Sequence, residues 1–208
     1  MKDYLRVGDE RVFHIINRLH NDGFCVLLYV HIGILFCRYP NPISYNYPHE
    51  CIDKGGDIVD TAHSHSLGCM EKYKGKPIFH SLGDFVMDGN SYRRRRSAIL
   101  TLIINEHKIE NWNLILAEIN FDYETIVPSE KIKQQMMKSF IDVSNKLSKH
   151  SSDYESFFKI QYKKELAIHI GSTLKFLWKQ RGVTSMLKMV WQRMENVKMI
   201  ELSSRIKI

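Results

Sequence analysis

Apolar residues at Val12, Phe13, Ile15, Ile16 and Leu19 follow Asp9-Glu10 with the spacing of one helix face, and Asn21-Asp22-Gly23 stops the pattern. The spacing predicts an amphipathic helix with acidic residues in its first turn. The unbroken run Phe24 to Val30 then predicts a strand, because strands in a sheet covered on both faces lack polar alternation. Phe36 to Pro42 holds two prolines and reads as irregular. A second helix is expected from about Ile43 to Lys54, with Pro48 opposing its interior and Gly55 as its stop. Ile58 to Thr61 predicts a short buried strand that opens into His63-Ser64-His65.

Two hairpins follow. Leu67 to Tyr73 and Lys76 to Leu82 flank the tight turn Lys74-Gly75, and Ala98 to Ile104 and about Ile109 to Ile119 flank Asn105 to Lys108. Pro128 closes the domain. Beyond it, Leu174, Leu177 and Trp178, then Leu187, Val190, Trp191 and Met194, recur at helical spacing, with Gly182 expected to interrupt two helices. The order predicts an α/β fold over residues 1–128 and a helical extension over 129–208.

At 208 residues and 44% hydrophobic, the chain can bury the core of one domain with an appendage, and its composition is not that of a disordered protein. Charge is divided unevenly: residues 129–208 hold 16 Lys+Arg against 7 Asp+Glu, and residues 1–128 hold 14 against 16. A basic helical tail with Trp and Met can pack on its own domain, lie on an anionic membrane or dock on a biosynthetic partner. Packing on the domain is the default; nucleic acid is not expected, because no recognition motif accompanies the charge. Cys25, Cys37, Cys51 and Cys69 form no C-x-x-C pair and read as buried thiols. No signal peptide opens the sequence given, and the longest apolar run falls short of the ~20 residues of a spanning helix. Localisation stays open between cytoplasm and membrane surface.

Candidate chemistry gathers between Asp57 and Phe85. His63 and His65 lie one residue apart beyond a predicted strand, where α/β sheets place ligands, and imidazole binds borderline metals such as zinc and manganese. His31 ends the preceding strand, and Gly33 beside it permits a close approach. Spacing alone favours the plainer reading, a satisfied core histidine at His31 and ordinary loop residues at His63 and His65. Asp84 is a turn residue that caps backbone amides or supports the histidines from behind. Arg93 to Arg96 read as a solvated, mobile loop, or, near the rim of a site, as a steering surface for a polyanion.

Residues 24–88 resemble the C-terminal part of the CapA capsule-synthesis family, also called poly-γ-glutamate synthesis proteins, whose fold is that of calcineurin-like metallophosphoesterases. The family's strand ending in His-Trp-Gly-x-Glu corresponds to His31-Ile32-Gly33-Ile34-Leu35, and its Tyr-Pro-Asn-Pro segment to Tyr39-Pro40-Asn41-Pro42. Its ID-x-G-x-D helix end appears as Ile52 to Asp57. Its Gly-His-His-Pro-His loop falls on Thr61-Ala62-His63-Ser64-His65, and its YKGKPIFYSLGNFVFD run on Tyr73 to Asp88. Departures fall at Ile32, Leu35, Thr61, Ala62, Gly68 and Asp84.

The resemblance implies that His31 and His63 serve one divalent metal (manganese, zinc or iron) of a two-metal centre and His65 the other. It also implies a phosphorylated substrate or an acidic polymer. The family's upstream acidic ligands have no counterpart in this sequence, so the chain is expected to be inactive as a hydrolase by itself. The alternative is a non-catalytic accessory protein that uses its basic tail at a membrane surface or on a partner.

Overall fold

The computed structural model describes residues 5–87 and 91–205, so Asp88 and Asn90 lie outside the described residues, as do the side chains of Val190 and Met194. Helix α1 spans Glu10–Asn21, and its cap is Asp9, whose carboxylate accepts from the Arg11 amide. Ile16 is its buried contact with the first core cluster, beside Val26, Tyr47, Cys51, Ile52, Val59 and Ile78. Strand β1 is Leu27–His31, starting later than the apolar run predicts. Phe24 is exposed, and the Asp57 carboxylate holds the Val26 amide.

Helix α2 is Pro42–Asp53. Asn41 caps it by accepting from the Ser44 amide at 2.7 Å, and Pro42 sits in the first turn, where its missing N–H is harmless. Pro48 lies inside the helix, because burial of Tyr45, Tyr47, Cys51 and Ile52 outweighs one lost backbone hydrogen bond.

Strands β2 (Ile58–Ala62), β3 (Leu67–Tyr73) and β4 (Lys76–Leu82) complete a sheet of order β1-β2-β4-β3. The β1–β2 and β2–β4 pairs are parallel, and β3 returns antiparallel on β4. Lys74 and Gly75 both adopt positive φ, as a two-residue hairpin of type I′ requires. A second sheet follows from β5 (Arg96–Asn105), β6 (Lys108–Ile119) and β7 (Thr125–Ile126), with Glu106 and His107 at positive φ in its turn. Phe79 and Ile58 of the first sheet meet Ala98, Leu116 and Trp112 of the second. The strand Thr125–Ile126 has too few residues to show a period.

Helix α3 (Glu130–Lys149) buries Met136, Phe140, Val143 and Leu147, one stripe at helical spacing, and packs on β3, where Ser144 Oγ accepts from the Met70 amide. Each of those four contributes about 1.5–3 kcal/mol of burial. Helix α4 (Tyr154–Arg205) is broken at Gly182, which has φ 73°. Its first turns place Tyr154, Phe157 and Phe158 against Cys37, Tyr39, Tyr45 and Cys69, and the Tyr154 hydroxyl donates to the Pro40 carbonyl. No helix among the described residues is long and apolar enough to cross a membrane.

All four cysteines are free, and Cys37, Cys51 and Cys69 are buried. Burial pushes the Cys37 thiol up to about 11.

The arginine run is not a solvated loop. Arg93 pairs with Glu165 of α4, and Arg94 lies over the Phe36 ring. Arg95 is buried, donating to the Ile119 and Asn120 carbonyls under Phe121, Tyr123 and Phe176. Arg93, Arg94 and Arg95 thus face different elements and act as separate anchors rather than as one charged surface.

Candidate histidine site

Parallel pairing sets the level of the site. His31 registers with Ala62, so β1 and β2 end side by side and the loop after β2 begins where β1 stops. His31 Nε2 lies 2.9 Å from His63 Nδ1, with the rings edge to face. Gly33 makes the approach possible: a Cβ there would stand 3.1 Å from the Ala62 carbonyl oxygen. His63 and His65 both take positive φ, 96° and 53°, which turns the loop so that neither ring follows the strand's alternation. Their centroids are 6.3 Å apart.

One ring of the His31–His63 pair must donate and the other accept, so the two cannot both be protonated. Burial, followed by the neighbouring charges of His31 and His65, holds the His63 imidazole below its ordinary value. His65 has a different partner. Its Nδ1 is 2.7 Å from Asp84 Oδ1, which leaves Nε2 with its lone pair when Nδ1 donates. Asp84 Oδ2 is buried without a hydrogen-bond partner among the described residues.

Asp60 is the residue that sequence reasoning passed over. It stands on β2 in register with Tyr29, is 9% exposed, and its Oδ1 has no hydrogen-bond partner among the described residues. Burial pushes its carboxyl up to about 7. Tyr29 is pushed up as well, by burial and then by Asp60 and Asp84, which places the two carboxyls within electrostatic reach of one phenol. A carboxylate in the middle of a predicted buried strand is itself a signal, since such groups cost free energy unless paired.

Two ring nitrogens bound to one ion at about 2.1 Å lie about 3.0–3.4 Å apart, so the His31–His63 pair fits a cation as two of its ligands after a small adjustment. A third ligand is not in place: among the described residues no group of three or more His, Cys, Asp or Glu is arranged to hold a metal. His31, His63, His65 and Asp84 thus come together as two coupled pairs. Arg94 reaches the rim through Phe36, whose amide donates to the Ser64 carbonyl, while Arg93 turns away to α4.

On the α2 side of the sheet, Glu71 Oε1 accepts from His49 Nε2 at 3.0 Å and from His80 Nε2 at 2.9 Å. Burial raises the Glu71 carboxyl, but the two histidine hydrogen bonds outweigh it and bring it to about 2. This cluster ties α2 to β3 and β4.

Residues 3–89, the segment that builds the histidine site, match the family described as bacterial capsule synthesis protein PGA_cap. Two curated relatives are similar. The PGA biosynthesis protein CapA of Bacillus subtilis (strain 168) is 26% identical over 129 residues, 62% of this chain and 34% of that protein. The capsule biosynthesis protein CapA of Bacillus anthracis is 32% identical over 91 residues, 44% of this chain and 21% of that protein. The chain therefore spans about a third or less of the length of these relatives. Over residues 3–89 the chain is similar to the CapA capsule-synthesis family.

Proposed function

We propose that this chain carries the histidine half of a metal site in a metallophosphoesterase-like sheet sandwich, acting in capsule or poly-γ-glutamate biosynthesis on a phosphorylated substrate or an acidic polymer. The carrying observation is the His31–His63 contact at 2.9 Å, at the C-terminal ends of two parallel strands. His31 and His63 would hold one divalent cation, and His65, oriented by Asp84, would present Nε2 to a second. Bound metal would supply Lewis acidity and an activated water for attack at phosphorus. Histidine nitrogens alone give too little negative charge for two hard cations, so the remaining donors come from outside this histidine set.

Calorimetric titration with manganese or zinc tests the reading. Binding that is lost in His63→Ala and in His31→Ala is expected; absence of binding at millimolar metal overturns a site in this chain.

A further inference from the structure

Next to the histidine loop, at Ser66, lies a cavity of about 50 Å³ lined by Arg38, Arg93, Arg96, Ser66 and Ser139 above an apolar floor that includes Met136. A single water needs only ~10–15 Å³, so the space suits several waters or one small tetrahedral or planar oxyanion. Three guanidiniums meet here, and Glu165 is the carboxylate that pairs with two of them. It accepts from Arg38 at 2.9 and 3.2 Å and from Arg93 at 2.5 Å, while Arg38 Nη1 also donates to Ser139 Oγ at 2.7 Å. Two donors remain: Arg93 Nη1 and Arg96 Nε are buried with no hydrogen-bond partner among the described residues.

A buried charged donor without an acceptor is costly, and two at the wall of one cavity, with hydroxyls beside them, define a site short of acceptor oxygens. We propose that this cavity binds an oxyanion, a phosphate or a carboxylate, whose oxygens accept from Arg93 Nη1 and Arg96 Nε with help from the Ser66 and Ser139 hydroxyls. Ser66 directly follows His65, so a ligand anchored here has its next atoms beside the histidine loop. Arg38 and Arg93 are already committed to Glu165, which leaves Arg96 as the residue whose guanidinium serves the ligand first. The site does not depend on a metal at the histidines.

The test is a titration of the full chain in metal-free, low-salt buffer with inorganic phosphate and, in parallel, with a short γ-linked glutamate oligomer, followed by calorimetry and by amide shifts. Saturable one-to-one binding is expected, weakened at least about tenfold in Arg96→Gln and unchanged in His63→Ala. Tighter binding of the oligomer assigns a carboxylate polymer; tighter phosphate assigns a phosphoryl group. Arg96→Lys, which keeps the charge and loses the fork, is the second variant and is expected to bind about threefold more weakly. No saturable binding of either anion up to about 50 mM overturns the proposal, as does a folded Arg96→Gln that binds like the parent. Loss of metal binding in His63→Ala with phosphate binding retained separates this site from the histidine site.

Discussion

At Asp60 a carboxyl occupies the centre of a strand whose neighbours Ile58 and Val59 are fully buried, and burial holds it near 7. Between about pH 4 and pH 7 the folded chain keeps a proton there that the unfolded chain has released, so stability falls as pH rises through that window. Three units at 1.36 kcal/mol each give roughly 4 kcal/mol. Asp60→Asn is expected to raise the urea midpoint clearly at pH 8 and hardly at pH 4; equal gains at both would show that the carboxyl is solvated. Glu71 acts in the opposite sense, its contribution being lost as pH falls from about 4.5 toward 2. The histidines were legible because their spacing and their place after predicted strands are local properties. Asp84 was legible as a turn residue or a support behind the histidines, but not as the partner of His65 in particular, since that meeting depends on β4 lying beside β2. Asp60 carried a signal, a carboxyl inside a predicted buried strand, but what it faces depends on β1, whose register with β2 is not a local property.

Among the elements, α4 depends most on a single side chain. Glu165 is 3% exposed and pairs with both Arg38 and Arg93. Burial raises its carboxyl, and the two guanidiniums more than reverse this, holding it below its ordinary value. Removing one partner of a buried pair costs about 3–5 kcal/mol, because the other charges stay buried. Glu165→Ala is therefore expected to release Tyr154 to Phe176 first, read as rapid hydrogen exchange there while β2 and β4 keep their protection. Simultaneous loss of protection throughout would mean that α4 and the sheets are one cooperative unit. The first hairpin could be read to the residue, because Lys74-Gly75 states its own turn type. The arginine run could not, since four like charges in sequence say nothing about the separate partners of Arg93, Arg94 and Arg95 brought up from residues 165, 36 and 119 to 121. Nor does any local signal show that Pro48 is tolerated; packing decides it.

Over the whole molecule, the first sheet is covered unequally. β3 and β4 lie between α2, α3 and the second sheet, whereas β1 ends the sheet with one edge unpaired among the described residues and with Leu27 and Tyr29 exposed on one face. β1 and α1 also border an apolar groove of about 560 Å³. An unpaired edge leaves half its amides to water. Amides of β1 are expected to exchange much faster than those of β4 in native-state measurements, and equal protection would mean that the edge is covered in solution. An α/β class with helices last was legible from the order of patterns. The split into two sheets was not, because a hairpin's pattern is the same whether it extends one sheet or begins another.

The Glu165 link also sets a schedule. Arg38 and its carboxylate partner are separated by 127 residues, which at about 5–20 residues per second of synthesis is roughly 6–25 s of translation. Through that interval the strands of the first sheet emerge while Arg38 and Arg93 are still hydrated, and the guanidiniums leave water only when the last long helix arrives. Ribosome pausing within residues 120–165 would therefore prolong the time for which the apolar face that α4 covers stands open to chaperones.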